Sequence, residues 1–154
     1  MPSVDPLLEL ALVIKAASRE LERATADAMR PLGLTAQQAD AIYVIGQAGP
    51  LSLRELGDLL IAEAGHPSRL VDRLVQRGLV ERRPSETDGR QIVLSLSRRG
   101  RKLEKGVLEA RRAIVELGRA VVGKRDVRPT LGLLRELVQV SPLSEVIERR
   151  RALD

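Results

Sequence analysis

The hydrophobic period of this chain switches after Gly78 and switches back at Ser97, and few folds accommodate such a change. Before Gly78 the apolar residues recur at steps of three or four, the spacing of one face of an α-helix. From Gln91 to Ser97 they alternate, with Ile92, Leu94 and Leu96 on one face and Gln91, Ser95 and Ser97 toward the other. Leu79-Val80-Glu81-Arg82-Arg83 is a second short strand candidate. Between the two lies Pro84-Ser85-Glu86-Thr87-Asp88-Gly89-Arg90, whose Asp-Gly pair is a turn signal between strand-like runs. A small hairpin with a basic tip is therefore expected inside an otherwise helical chain.

The helices around it are marked by their caps. Asp5 to Arg30 reads as one helix, with Leu7, Leu10, Ile14, Ala17, Leu21, Ala24 and Ala28 in one stripe, stopped by Pro31 and Gly33. Thr35 and Gln38 fit a capping box for a helix through Val44-Ile45 that ends near Gly46–Gly49, with Pro50 as the turn. Ser52 and Glu55 fit a second box, opening a short helix with Leu53, Leu56, Leu59 and Leu60 inward. Ala62-Glu63-Ala64-Gly65-His66 reads as a turn, and Pro67 suits a first helical position. In the helix that follows, Leu70, Val71, Leu74 and Val75 lie on one side and Ser68, Arg69, Asp72, Arg73 and Gln76 on the others. Gly78 suits a C-terminal cap. Ser97 caps a helix from Arg98 to Val122, whose Leu103, Val107, Ala110, Ile114, Leu117 and Val121 form a heptad-like seam. Gly123–Pro129 breaks it. Thr130–Val140 forms a further helix, and Ser141-Pro142 caps a last one ending in Arg149-Arg150-Arg151, read as a solvated face.

Composition narrows the chemistry. The length, 154 residues, suits one domain, 44% hydrophobic and 31% charged. No apolar run approaches the roughly 18–20 residues that span a bilayer. The N-terminus has neither a basic start nor a signal-peptide pattern, so a cytoplasmic location is expected. Cysteine is absent, and His66 is the single histidine. No disulfide, thiolate, histidine pair or metal-spaced carboxylate cluster is available, so neither a catalytic site, a metal site nor a cofactor is expected. Tyr43 is the only aromatic residue, which disfavours single-stranded nucleic acid and RNA, usually read by stacking. Residues 1–65 carry five basic and nine acidic side chains, residues 66–105 eleven and five, and residues 106–154 ten and seven. Positive charge is concentrated mid-chain, which fits either a polyanion partner or a charge-rich solvated surface.

A helix, a turn, a second helix and a basic hairpin together are a physical solution to reading duplex DNA. An α-helix fits the major groove, and Ser68, Arg69, Asp72 and Arg73 occupy the first two turns of the second helix. The hairpin can place Arg90 in the minor groove, where the potential is most negative. Asp88 is either a turn former or a salt-bridge partner that directs Arg90. Arg82 and Arg83 point to opposite faces of their strand, and at least one is expected to meet phosphate. His66 is a turn residue, a helix-end hydrogen bonder, a DNA contact or a group titrating near neutral pH. Thr35 can donate to a phosphate, although capping alone explains it.

The chain resembles the multiple-antibiotic-resistance regulator (MarR) family of winged helix-turn-helix transcription factors. The resemblance is carried by Gly33-Leu34-Thr35 with Gln38, by Leu51-Ser52-Leu53-Arg54-Glu55-Leu56, and by Ser68-Arg69-Leu70-Val71-Asp72-Arg73-Leu74. It continues through Gly78-Leu79-Val80-Glu81-Arg82 and Asp88-Gly89-Arg90 to Val93-Leu94-Ser95-Leu96-Ser97-Arg98-Arg99-Gly100. It implies a mainly α protomer with a β-hairpin wing, a DNA-binding lobe at 35–97, and dimerisation helices at 1–34 and 98–154. It implies a homodimer on a pseudo-palindromic operator, with Arg90 as the wing-tip arginine and Asp88 as its partner. It further implies repression relieved by a small aromatic or phenolic effector bound between the dimer helices and the lobe. Two features depart from the family pattern: the turn Glu63-Ala64-Gly65-His66-Pro67 before the second helix, and the extension from Ser141 to Asp154. A winged-helix module that binds protein without reading DNA sequence is the competing expectation, and the basic hairpin argues against it.

Overall fold

The computed structural model describes residues 5–61 and 66–153; the turn expected at 62–65 lies outside them. The first helix, α1 (Pro6–Met29), starts where Asp5 accepts the Leu7 N–H at 2.8 Å, and a single 3-10 turn, Arg30–Leu32, follows it. Gly33, at φ 66, closes that turn. Helix α2 (Ala36–Ala48) opens with the Thr35–Gln38 capping box, and α3 (Leu53–Gly57) with the Ser52–Glu55 box. In the second box the Ser52 N–H donates to Glu55 at 2.7 Å, holding the Glu55 carboxyl below the ordinary 4.5. A depressed carboxyl stabilises above its unfolded value, so this cap weakens as pH falls through the lower folded value. Helix α4 (Pro67–Gln76) starts on its proline. Strands β1 (Val80–Pro84) and β2 (Ile92–Leu96) pair antiparallel, Val80 opposite Leu96 and Pro84 opposite Ile92. Three helices follow: α5 (Arg98–Val122), α6 (Arg128–Val138) and α7 (Leu143–Arg151).

Helix α2 is the centre of the core. Its Ala39, Ala41, Ile42, Tyr43, Val44 and Ile45 are all buried, so this helix is apolar on nearly every side. Around it pack Met29 of α1, Leu56 of α3, Val71 and Leu74 of α4, Leu94 and Leu96 of β2, and Val107 of α5. Each such aliphatic side chain contributes about 1.5–3 kcal/mol by leaving water. Leu51, which the sequence pattern leaves in a turn, makes a bridge to Leu94: its N–H donates at 3.2 Å and its carbonyl accepts at 2.7 Å. Strand β2 therefore lies between β1 and the residue that leads into α3.

The end of α4, the base of the hairpin and the start of α5 meet at one joint. Gly78 adopts φ 67, letting its N–H reach the Val75 carbonyl at 2.8 Å and the Leu79 N–H reach Leu74 at 2.9 Å. That double bond pattern satisfies the last carbonyls of α4. The Ser97 hydroxyl accepts the Gly100 N–H at 2.9 Å and donates to the Gly78 carbonyl at 2.6 Å. Arg99 adds a bond to the Arg77 carbonyl at 3.2 Å. A side chain on Gly100 would collide with the Leu79 carbonyl, so α5 begins in contact with the chain leaving α4.

Several expectations shift. Helix α3 is shorter than its leucine pattern predicts, and Leu53 is exposed while Leu56 is buried. Ile92 shares its face with Leu94 but is 52% exposed, because the hairpin tip projects past the end of the core. Helix α6 begins earlier than predicted, with Pro129 inside its first turn, where a missing N–H is tolerated. The apolar stripe of α1 is formed but not covered by this chain: Leu7, Ile14 and Leu21 are exposed, and Met29 is the helix's only buried residue. Among the described residues no helix is long and apolar enough to cross a membrane.

Replacing Ser97 with alanine removes the α5 cap and leaves the Gly78 carbonyl without its donor. The expected loss is about 1–3 kcal/mol, the cost of an unsatisfied buried polar group, measured as a lower midpoint in urea unfolding. A midpoint equal to wild type would mean the joint is not held by this hydroxyl.

Candidate nucleic-acid interface

Burial divides α4 cleanly. Val71 and Leu74 face α2, which leaves Arg69, Asp72, Arg73 and Gln76 exposed on the outer side. Ser68 is half-buried in the first turn. His66 occupies the N-cap position, is exposed, and makes no side-chain capping bond. Thr35 is exposed but committed to its helix, its hydroxyl accepting the Gln38 N–H at 3.2 Å.

The hairpin tip is ordered by short side chains. The Ser85 hydroxyl accepts from the Thr87 and Asp88 N–H groups, each at 3.3 Å. Asp88 Oδ1 accepts the Arg90 backbone N–H at 3.1 Å, and the Gln91 N–H returns to the Asp88 carbonyl at 2.9 Å. The expected Asp88–Arg90 ion pair is thus replaced by an Asx turn: Asp88 fixes the backbone from which Arg90 projects and leaves the guanidinium unengaged.

The arginines of this region fall into two groups. Arg82 donates to Asp72 at 2.5 Å, tying β1 to α4, and Arg83 pairs with Glu81 on the opposite face, as strand alternation requires. Arg77 donates to Gln38 at 3.1 Å, linking the end of α4 to the capping box of α2. Arg69, Arg73 and Arg90, by contrast, make no ion pair or side-chain hydrogen bond among the described residues. Among the open guanidiniums, two stand on α4 and one on the hairpin tip; Arg98, at the start of α5, is likewise unpaired among the described residues.

A second polar cluster escapes the sequence pattern. Asp40 and Tyr43 share a face of α2. Arg111 of α5 lies 3.6 Å from Asp40 and 3.8 Å from the Tyr43 ring centroid. Arg150 of α7 lies 2.6 Å from the same Asp40 oxygen and 5.2 Å from the same centroid. The C-terminal arginine run is therefore not a uniformly solvated face: Arg150 is turned inward and Arg149 reaches Asp58 at 3.4 Å. Beside this cluster a cavity of about 250 Å³ opens between α1, α2 and α5, with Leu21, Met29, Val107 and Ile114 as walls and Asp40 and Arg111 as its charged groups.

A sequence profile of the MarR family matches residues 32–91, which run from the end of the 3-10 turn through the hairpin tip. Multiple antibiotic resistance protein MarR of Escherichia coli is 30% identical over 94 residues, covering 61% of this chain and 65% of that protein. The crystal structure of a probable transcriptional regulator from Pseudomonas aeruginosa superposes with a TM-score of 0.70 at 30% identity, over 82% of this chain and 95% of that one. The similarity of this chain is thus to MarR-family regulators, and the family match lies on the helix-turn-helix and the hairpin. A crystal structure of a MarR mutant from E. coli complexed with operator DNA shares the fold, with a TM-score of 0.69 at 24% identity over 89% of this chain and 96% of that one. The fold shared with these structures is a mainly helical winged helix, in which β1 and β2 form the wing and α4 stands as the second helix of the helix-turn-helix.

Proposed function

We propose that this chain is a homodimeric transcriptional repressor that occupies a pseudo-palindromic operator in duplex DNA and is released by a small effector. The observation that carries the reading is the set of uncommitted guanidiniums, Arg69 and Arg73 on the outer face of α4 and Arg90 at the tip of the wing. Helix α4 enters the major groove, with Arg69 and Arg73 at base edges or phosphates and Ser68 and His66 near the backbone at its N-terminus, where open N–H groups favour phosphate. Arg90 enters the adjacent minor groove, aimed by the Asp88 turn. Arg82 and Arg83 exchange their carboxylate partners for phosphates, and Thr35 adds a hydroxyl contact. The chemistry is occupancy and release in the cytoplasm, with no covalent step.

Dimerisation follows from what one chain leaves uncovered. Leu7 and Leu12 of α1, Leu117 and Val121 of α5, and Leu131 and Leu137 of α6 are all exposed large apolar residues, an arrangement that marks an association surface. Helices α1, α5 and α6 of two copies would cover these residues, setting the two α4 helices roughly 34–36 Å apart, one turn of DNA. The cavity between α1, α2 and α5 sits between this surface and the winged lobe. A small aromatic or phenolic ligand bound there would favour one lobe position and shift the population away from the DNA-bound spacing.

Two variants test the reading. Arg90→Ala should leave fold and dimer intact and weaken binding to the inverted repeat flanking the gene by about 1–3 kcal/mol, the range of a good specific contact, read by fluorescence anisotropy; unchanged affinity removes the wing from the mechanism. Leu117→Glu should shift the protein to monomer in sedimentation velocity. A variant that stays dimeric places the interface elsewhere.

A further inference from the structure

We infer that Arg150, on the C-terminal helix α7, is a positioning residue that clamps the DNA-binding lobe to α5 through one shared carboxylate, Asp40. The inference rests on the regulator reading for its effect on DNA, and on geometry alone for the clamp. Arg150 is the most enclosed of the three α7 arginines, with a side chain only 12% exposed. One of its nitrogens lies 2.6 Å from Asp40 on α2; another donates to the Leu59 carbonyl, just after α3, at 3.4 Å. Arg111 of α5 approaches the same Asp40 oxygen at 3.6 Å and covers the Tyr43 ring at 3.8 Å. Residues three apart on a helix share a face, so Asp40 and Tyr43 present one patch of α2 that two arginines grip from two different helices.

The neighbouring residues show that this is more than a generic cation at a helix end. Arg151 is solvated and pairs with Glu148 inside its own helix at 2.8 Å. Arg150 instead reaches across to Asp40, Arg149 divides between Glu145 of its own helix at 3.3 Å and Asp58 at 3.4 Å, and Leu153, just after the helix, packs against the main core. Helix α7 therefore touches the lobe at α2, at the residue following α3 and at the core, while Arg111 brings α5 to the same carboxylate. A lobe held this way meets DNA already placed. Without the clamp, DNA must also freeze the freed motion, which lowers apparent affinity by the fraction of molecules in the competent arrangement.

The test uses the full chain carrying Arg150→Ala, with Arg151→Ala as the control for lost charge in the same helix. Backbone hydrogen exchange should accelerate in α2 and at residues 58–61 for the Arg150 variant, remain unchanged in β1 and β2, and match wild type throughout for the Arg151 variant. Affinity for the operator should fall roughly 5-fold or more for the first variant, the lower end of typical coupling between sites, and hold for the second. Asp40→Asn removes the shared carboxylate, so adding Arg150→Ala to it should change exchange less than it does in wild type; if Arg150→Ala fails to fold, Arg150→Lys and Asp40→Asn alone decide the matter, each expected to accelerate exchange in α2. Unchanged exchange in the Arg150 variant, equal effects of the two arginine variants, or unchanged or tighter operator binding would overturn the clamp. If wild type itself binds no duplex DNA, the regulator reading fails and the exchange result still judges the clamp.

Discussion

The Ser97 hydroxyl carries two bonds that fix the geometry of the rest of the lobe. It accepts from Gly100 to start α5 and donates to Gly78 where α4 has just ended. Between those two glycines run both strands of the wing. The end of α4, the base of the hairpin and the first turn of α5 are thereby held within a few bonds of one another, and the conformational freedom of Gly78 at φ 67 makes the approach possible. Residues far apart on this frame keep their relation because the joint is buried and its polar groups are satisfied.

From that frame the distribution of arginines acquires meaning. The charge excess of residues 66–105 is a single number in the sequence, but the fold sorts it. Arg77 and Arg99 brace the end of α4, and Arg101 donates to the Leu96 carbonyl at 2.6 Å. Arg82 and Arg83 hold exposed carboxylates. Exposed pairs contribute only about 0–1 kcal/mol, so surrendering them to phosphate costs little, and both remain available. Arg69, Arg73 and Arg90 have nothing to surrender. In the proposed reading, affinity for a polyanion and the rigidity that aims it thus come from different members of one basic cluster.

What the sequence made legible was local. Both capping boxes, the Gly78 and Ser97 caps and the Asp88-Gly89 turn are set by residues within four of one another, and each appears where its motif predicts. Contacts between distant residues were not legible. Asp40 and Arg150 lie 110 positions apart, and an arginine at a helix C-terminus already has a sufficient electrostatic explanation, so nothing in the pattern singles it out. The Leu51–Leu94 bridge is hidden for the same reason. Asp88 was legible as a turn former and misleading as an ion-pair partner, because its short side chain reaches the nearer backbone N–H first. The seam of α5 is visible in its heptad spacing, yet its two halves differ: Val107 is fully buried against α2, whereas Leu117 is 67% exposed. Periodicity gives the stripe; only the fold gives what lies against it.

The central claim is that the arginines of a rigid winged frame engage duplex DNA, its phosphates included. The most direct measurement is the affinity of the wild-type protein for duplex DNA across a salt series. Counterion release requires the logarithm of the binding constant to fall linearly with the logarithm of salt, with a slope of about −0.9 for each phosphate neutralised. With Arg82 and Arg83 of each of two lobes on phosphates, and Arg69 and Arg73 adding to them where they meet the backbone, the expected slope is about −3.6 or steeper. A flat dependence, or no binding at low salt, would contradict it.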